Sequence, residues 1–378
     1  MSKPPNPWPP NCTHWPSMTE PLAVVEPAKT TRLWVLAGSA VLVASVIVAV
    51  TIGPAEISIT DVWRSIASNL CLGEGRCLSD VFGLESLPRL RDAMVWDVRL
   101  PRVLTAAAVG GGLAICGMVM QSLTRNPLAD PYLLGLSSGA SLGAVSVLLL
   151  GLSVAGVAVA QPVAAFGGAM AALALTLLLT TAAGRGTLSP ARTVLAGLAV
   201  GQLAAAATSF VIFWSVRGDQ AREVLAWLMG SIAGATWASV AVALGATLVI
   251  GTALAFTGRT LDAFAFGDTA AAALGVNVQR TRWTLLIGVA VLTGALVSQS
   301  GSIGFIGLVI PHAVRLLVGA QHRALLPLCA LAGASILVWA DTLARTVFAP
   351  RELPVGILTA ALGAPVFAAL LLRNRSVK

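Results

Sequence analysis

Long uncharged runs of apolar residues alternate along this chain with short segments that carry its charges. A helix that crosses a bilayer needs about 20 mainly apolar residues. The run over 131–184 has room for two such helices with a turn at GLSVAG (151–156), and the run over 283–314 has room for one long helix or two short ones. The runs cover residues 33–55, 103–124, 131–184, 193–216, 224–258, 283–314, 324–340 and 353–372. The pattern predicts an all-α, polytopic membrane protein.

The distribution of positive charge decides how often the chain crosses, because short cytoplasmic loops carry an excess of Lys and Arg. With a cytoplasmic N-terminus and two helices in 283–314, broken at 299–304, the chain crosses ten times. Fourteen of the 24 cationic residues then lie inside with five of the 16 acids, whereas the outer side holds ten cations and eleven acids. A single helix would separate Arg315 from Arg280. The sequence therefore predicts ten transmembrane helices.

Composition supports a membrane protein and marks off the first 30 residues. The chain is 57% hydrophobic and 11% charged, and its mean hydropathy is +0.86, so it has too little polar surface for a soluble protein of this size. Residues 1–30 are rich in Pro and polar residues, and Glu20 and Glu26 interrupt them, which does not fit a signal peptide. We expect a disordered cytoplasmic tail over 1–30 and a ten-helix domain over 31–378.

The charges exclude two classes of function. The net charge is +8, but all three lysines (Lys3, Lys29 and Lys378) lie near the ends of the chain. A phosphate-binding P-loop needs a lysine after its glycine-rich turn, so this chain is not an ATPase by that route. The arginines are scattered singly between apolar runs, and no basic stripe with interleaved aromatic residues predicts a nucleic-acid partner.

The five cysteines have no metal-ligand spacing, so no metal site is predicted. Cys116 and Cys329 lie in apolar runs, where a free thiol packs as a small hydrophobic group. Cys71 and Cys77 bracket CLGEGRC in the predicted external loop over 54–98. They form a disulfide if that loop faces an oxidising compartment, and otherwise remain free thiols.

Two arginines lie at the predicted external end of an apolar run, in the stretch VWDVRLPR (95–102). Their position opposes the usual excess of positive charge on the cytoplasmic side. Arg99 and Arg102 either pair with Asp92 or Asp97 in the acidic external loop or bind a carboxylate of another molecule. Residue types alone leave both alternatives open.

Four long stretches of the sequence resemble the permeases of ABC importers that take up iron chelates, haem and cobalamin. The resemblance extends from about residue 33 to 375, and it departs in the Trp- and Pro-rich start and in the long loop that carries Cys71 and Cys77. The matching stretches are RLPRVLTAAAVGGGLAICGMVMQSLTRNPLADPYLLGLSSGASLGA (99–144), GDTAAAALGV (267–276), GSIGFIGLVIPHAVRLLVGAQHRALLPLCALAGASILVWADTLAR (301–345) and ELPVGILTAALGAPVFAALLLR (352–373).

The resemblance implies an assembly and assigns residues at the external side. In this family two ten-helix permeases form a homodimer in the bacterial inner membrane, with two ATP-binding cassette subunits beneath and an external substrate-binding protein above. The ATPase partners use ATP and Mg²⁺, and the permease chain itself binds no cofactor. Arginines that match Arg99, Arg102 and Arg345 receive glutamates of the binding protein, which suits the forked guanidinium group.

The resemblance also assigns two cytoplasmic elements. The region over 258–282 is implied to seat in the ATPase, through Asp262, Asp268, Ala271, Ala272 and Gly275, although a plain connector is the alternative. From the residues we expect Asp268 to cap a short Ala-rich helix that Gly275 ends.

The second cytoplasmic element is a gate. The family places it at residues matching Asn126 and Leu128 in TRNPLADP (124–131), with a second constriction in TLSPAR (187–192), at Ser189. Pro127 and Pro131 stop helices, so simple turn chemistry also explains the first segment.

Two other functions are compatible with single features of the sequence. GLSSG (135–139) fits the pattern of a nucleophile elbow, so an intramembrane hydrolase would use Ser137 with His312 as base. An elbow needs a preceding strand, which the pattern does not predict. A proton-coupled secondary transporter would need a carboxylate in the bilayer, and Asp341 is the nearest candidate. A pair between Asp341 and Arg345 on one helix explains that residue more simply.

The cargo is the least determined property. Haem carries two propionates, which Arg217 or Arg222 at the outer end of the fifth predicted helix would meet. This favours haem over a ferric siderophore or cobalamin. The two arginines pair equally well with Asp219 and Glu223.

Overall fold

The computed structural model describes residues 27–53, 55, 57–71, 77–151, 153–154, 157–158, 160–218 and 220–373. The predicted tail lies outside the described residues as far as position 26. The first helix begins at Pro27, slightly before the predicted start of the membrane domain at 31.

Most of the described chain is α-helical, as predicted. Its helices are α1 (Pro27–Thr51), α2 (Ile59–Asn69), α3 (Leu78–Phe82), α4 (Arg89–Ala93), α5 (Leu100–Thr124), α6 (Leu136–Leu150), α7 (Gln161–Ala183), α8 (Pro190–Ser215), α9 (Gln220–Leu228), α10 (Trp237–Ala246), α11 (Thr252–Phe256), α12 (Gly258–Ala265), α13 (Asp268–Ala273), α14 (Val278–Ser300), α15 (Ile306–Val318), α16 (His322–Thr346) and α17 (Val355–Arg373). Met94–Arg99 and Thr247–Gly251 are π-helical turns that join α4 to α5 and α10 to α11. A 3-10 turn, Pro131–Leu134, precedes α6. The strands among the described residues are the two-residue pair Ser153–Val154 and Val157–Ala158.

In the described part of the chain, seven helical segments are long and apolar enough to cross a membrane. Three shorter apolar helices, α6, α15 and α17, bring the number to ten if each of them also crosses. The predicted break in 283–314 is confirmed, because α14 ends at Ser300 and α15 begins at Ile306. The predicted pair of helices in 131–184 is confirmed as α6 and α7. The exact count of ten stays a prediction.

Helix α5 forms the centre of the bundle and packs against α10, α14, α15 and α16. Its contacts depend on small residues, since helices in lipid associate through close van der Waals packing. A Cβ atom at Gly110 would collide with the carbonyl oxygen of Gly333 on α16, and one at Gly117 would collide with that of Gly307 on α15. The glycine-rich run of α5 therefore sets the distance between these helices.

The bundle has two ends, which are named here by the residues that lie there. The inner end contains the last residue of α5, Thr124, and the first residue of α16, His322. The outer end contains the last turn of α16, with Arg345, and the start of α5. By the charge distribution the inner end is predicted to be cytoplasmic.

At the outer end, the segment between α1 and α5 is ordered by local polar contacts. Ser58 and Asp61 form a capping box at the start of α2, and hydrogen bonds from Ser58 hold the pKa of the Asp61 carboxyl below its usual value. Asp92 accepts hydrogen bonds from Ser65 and Asn69, so it braces α2.

A disulfide joins Cys71 to Cys77. Of the two alternatives left open for these cysteines, the structure has the disulfide.

Candidate transport sites at the two ends of the bundle

The three arginines assigned to docking lie together at the outer end. Arg99 closes the π-helical turn, Arg102 lies in the first turn of α5 and Arg345 lies in the last turn of α16. They line one cavity of about 340 Å³ together with Glu352. Their exposed fractions are only 5%, 5% and 4%, so the three arginines are largely buried although they line this cavity.

Arg102 has two internal carboxylate partners. Its Nε and Nη2 donate to the two oxygens of Asp341, at 2.9 and 3.1 Å, and its Nη1 donates to Glu352 Oε2 at 2.7 Å. The predicted pair between Asp341 and Arg345 is therefore wrong, as is the alternative that Arg102 pairs with Asp92 or Asp97. The real partner comes from a helix 239 residues away, and no local spacing rule reaches that far.

Arg99 and Arg345 both bind the end of α1. Arg99 donates to the carbonyl oxygens of Val50, Thr51 and Ala55, at 2.9, 2.9 and 2.6 Å, and Arg345 donates to the carbonyl oxygen of Ala49. The last carbonyl groups of a helix lack partners within it and attract cations. The cavity is thus lined by three guanidinium groups and one carboxylate, that of Glu352, so its lining has an excess of positive charge.

At the inner end, the region over 258–282 contains the two short helices α12 and α13. The prediction that Asp268 caps α13 is wrong, because Gly267 precedes the helix with a φ of 97°. Asp268 instead accepts two hydrogen bonds from Arg282 Nη2, at 3.0 and 3.1 Å. The predicted end of α13 is confirmed: Gly275 follows it with a φ of 85°, a conformation that favours glycine.

The two neighbouring alanines of α13 differ in exposure. Ala271 is fully buried, whereas Ala272 is exposed. Leu274 and Phe266, at either end of α13, are also exposed, at 69% and 79%. The surface available to a partner therefore contains Ala272, and Ala271 serves the packing of the region itself.

Asp262 takes part in a contact that sequence reasoning missed. It accepts hydrogen bonds from the backbone nitrogen and Nδ1 of His322, at 3.0 and 2.6 Å. The other ring nitrogen, Nε2, is hydrogen-bonded to Ser122 Oγ of α5. The contact brings together α12, α16 and α5, which are distant in sequence, so no local motif could predict it.

The two predicted gate segments have turn and cap geometry. Asn126 Oδ1 accepts from the backbone nitrogen of Leu128 at 2.9 Å, and the side chain of Leu128 is exposed. Ser189 caps α8 and accepts from Arg192 Nε at 2.9 Å. Thr124 of the first segment and Pro190 of the second line one narrow cavity of about 10 Å³. The segments are therefore neighbours at the inner end, and their role as a gate stays a prediction.

The remaining sequence candidates are placed apart from these sites. Ser137 Oγ is hydrogen-bonded to Ser302 Oγ at 2.7 Å, so the hydroxyl proposed as a nucleophile is bonded to another serine and not to His312. Arg217 and Arg222 are exposed. A cavity of about 250 Å³ near them is lined by Glu223, not by the two arginines, and Asp219 lies outside the described residues.

Comparison with known proteins identifies the family. Residues 41–373 match the model of the FecCD transport family. The chain belongs to the FecCD transport family. It is 45% identical over 291 residues to the hemin transport system permease protein HmuU of Yersinia pestis, covering 75% of this chain and 85% of that protein. It is 42% identical over 287 residues to the vitamin B12 import system permease protein BtuC of Vibrio cholerae, covering 75% and 84%.

A solved structure agrees with this FecCD assignment. A metal-chelate type ABC transporter in an inward-facing conformation has a TM-score of 0.75 at 29% identity, covering 90% of this chain and 98% of that chain. The resemblance inferred from the sequence motifs is confirmed, and the FecCD chain is a multi-pass permease of the ABC importer type.

Proposed function

We propose that this FecCD permease forms a homodimeric, ATP-driven import pathway for a metal chelate in the bacterial inner membrane. One observation carries the proposal. The same two helices, α5 and α16, bear the arginine-lined cavity at the outer end and the contacts to the 258–282 region at the inner end. A binding protein at one end and an ATPase at the other would thus act on one pair of helices.

The exposed side of α8 supports a dimer with a water-lined path. This helix buries one stripe, whose members are Thr193, Gly197, Val200, Ala204 and Thr208. Its opposite side exposes the side-chain amide of Gln202. Ser209 on the same side donates to the carbonyl oxygen of Ala205 in its own helix. Polar side chains within a spanning helix usually face a cavity or another protein segment, because lipid leaves them without partners.

The partners follow from what the chain carries. Its sequence has no P-loop lysine, so two ATP-binding subunits would bind Mg²⁺ and ATP and seat against the 258–282 region. A binding protein with acidic residues would dock on the Arg99, Arg102 and Arg345 cavity. The disulfide between Cys71 and Cys77 supports an oxidising, external location of the 54–98 loop, since disulfides persist in such compartments.

Haem is our first candidate cargo, with cobalamin and a ferric siderophore next. Relatives are named for hemin, vitamin B12 and ferric dicitrate, which supports a metal chelate as the cargo class. Arg217 and Arg222 are exposed beside the outer end of α8, where two haem propionates would meet positive charge.

The competing class, a proton-coupled carrier, finds less support. Asp341 would have to gain and lose a proton, yet both of its oxygens accept hydrogen bonds from Arg102. Both carboxylate oxygens are thus engaged in a buried ion pair that joins α5 to α16. If Asp341→Asn alone made uptake independent of the proton gradient, while mutations in the ATPase partner had no effect, the carrier would replace the importer.

The test is uptake by the reconstituted complex of permease, ATPase and binding protein, with haem, a ferric siderophore and cobalamin compared in parallel. We expect ATP-dependent uptake of haem, and a several-fold loss for the double variant Arg217→Ala, Arg222→Ala. Exclusive uptake of cobalamin or the siderophore would overturn the haem assignment. Absence of ATP-dependent uptake for all three would overturn the proposed function.

A further inference from the structure

Each short helix of the 258–282 region carries one aspartate that binds a buried basic side chain. On α12, Asp262 accepts from His322 Nδ1 at 2.6 Å, and His322 in turn contacts Ser122 on α5. On α13, Asp268 accepts from Arg282 Nη2 at 3.0 Å. The first contact leads to α16 and α5, and the second leads to the start of α14.

The second contact continues to the other gate segment. Arg282 Nη1 donates to the carbonyl oxygen of Leu188 at 2.9 Å, and Gln279 Oε1 accepts from the backbone nitrogen of Leu188 at 3.1 Å. Leu188 directly precedes Ser189, which caps α8. The first contact ends at Ser122, in the last turn of α5 before Asn126 and Leu128. Each aspartate is therefore connected to a different gate segment.

The middle residues, His322 and Arg282, are buried, whereas the two aspartates are partly exposed. His322 is 5% exposed and Arg282 is 3% exposed, while the side chains of Asp262 and Asp268 are 37% and 43% exposed. Hydrogen bonds shielded from water are stronger and fix orientation. A displacement of α12 or α13 would consequently move the buried side chain of His322 or Arg282 with it.

We propose that Asp262–His322–Ser122 and Asp268–Arg282–Leu188 are two connectors that transmit movement of the 258–282 region to the two gate segments. The inference rests on the proposed function. His322 and Arg282 are positioning residues, because they act through the segments that they hold. The connector through His322 moves the end of α5, and the connector through Arg282 moves the start of α8.

Ser122, His322 and Asp262 are hydrogen-bonded in the order of a catalytic triad. The burial of the serine, however, argues against hydrolysis. Ser122 is 7% exposed, and its hydroxyl lies 2.9 Å from the carbonyl oxygen of Met118 in the preceding turn. A nucleophile must reach its substrate. The burial of this serine leaves a connecting role.

The test measures ATP hydrolysis and chelate uptake on the same reconstituted complex. The variants are His322→Gln and Ser122→Ala for the first connector, and Arg282→Lys for the second. Lysine keeps the charge of Arg282 but has no fork to bridge Asp268 and Leu188. We expect hydrolysis within about twofold of wild type and uptake at least tenfold lower. Ser335→Ala is the matched control, because in the described part of the chain Ser335 donates to Leu331 in the preceding turn of its own helix, and the variant should behave like wild type.

A second readout needs no cargo. A spin label at Leu128→Cys reports the distance between the two copies of this gate residue in the complex, with and without ATP. We expect ATP to change that distance in the wild-type background and to leave it unchanged with His322→Gln. If ATP changes the distance in the wild-type background but not with His322→Gln, and the complex takes up none of the chelates, the cargo assignment is overturned and the connectors are upheld. A parallel fall of hydrolysis and uptake, unchanged uptake, or a label that responds normally in the variant would overturn the connectors.

Discussion

Arg102 and Asp341 form a two-pronged ion pair between α5 and α16, with hydrogen bonds of 2.9 and 3.1 Å. Only 6% and 2% of their side chains are exposed. The pair joins the first turn of α5 to the outer end of α16, and its Arg102 lines the arginine-lined cavity. The shape of this outer surface therefore depends on one buried contact.

Breaking this ion pair should destabilise the protein. Asp341→Asn leaves the guanidinium of Arg102 buried with a weaker partner, and removal of one member of a buried pair costs about 3–5 kcal/mol. We expect a clear fall in the melting temperature of the purified protein in detergent. Asp97→Asn, which changes an exposed aspartate nearby, is the matched control and should have little effect. Equal melting temperatures for the two variants would contradict the structural role.

Glu352 should compete with the binding protein for Arg102. Its carboxylate lies 2.7 Å from Arg102 Nη1, and its side chain is 42% exposed, so it occupies one prong of the guanidinium from the cavity side. Glu352→Gln removes this internal carboxylate, and we expect the binding protein to bind about three- to tenfold more tightly.

The effect should shrink at high salt, because ions screen exposed charges. Surface plasmon resonance measures the affinity for the binding protein and its dependence on salt. Glu85→Gln is the control, because it removes an exposed carboxylate elsewhere in the outer loop. Weaker binding of the Glu352→Gln variant would show that Glu352 helps docking instead of competing with it.

The two alanines of α13 should respond differently to a large charge. Ala272→Arg places the charge on the exposed face, so we expect a normally folded permease dimer whose coupled ATP hydrolysis is lost. Ala271→Arg forces a charge into a fully buried position, which costs several kcal/mol, so the region itself should unfold. ATPase assays and limited proteolysis of the complex separate these outcomes. Undiminished coupling in Ala272→Arg would refute the assignment of this surface to the ATPase.

Adjacent glycines of α7 offer a matched test of helix packing. A Cβ atom at Gly168 would collide with the carbonyl oxygen of Gly139 on α6, whereas one at Gly167 would meet nothing within 4 Å. Overpacking of this kind costs about 1–3 kcal/mol, so we expect Gly168→Ala to lower the unfolding temperature. Gly167→Ala should leave it unchanged or raise it slightly. Equal effects would mean that α6 and α7 do not approach as closely as the structure has them.

The sequence predicted features that depend on neighbouring residues. The charge distribution predicted the break between α14 and α15, since a single helix over 283–314 would separate Arg315 from Arg280. The end of α13 at Gly275 followed from the backbone freedom of glycine. The family motifs brought Arg99, Arg102 and Arg345 to one surface before the structure placed them around one cavity.

Contacts between distant segments were beyond sequence reasoning. The spacing of Asp341 and Arg345 predicted a pair on one helix, but tertiary packing gave Asp341 to Arg102. Likewise, aspartate is a common helix-capping residue, which favoured Asp268 as a cap, but its carboxylate pairs with Arg282. In both cases an aspartate pairs with a buried guanidinium group. Leaving that charge unpaired would cost more free energy than losing the local contact. The partner of His322 could not be named without knowing that α12 packs against α16.

The most direct test of the account is uptake into liposomes that contain the purified permease with and without its ATP-binding partner. The account predicts that the chelate accumulates against its gradient only when the partner and ATP are both present, because the permease sequence has no P-loop of its own. Accumulation by the permease alone, driven by a proton gradient and without nucleotide, would contradict it.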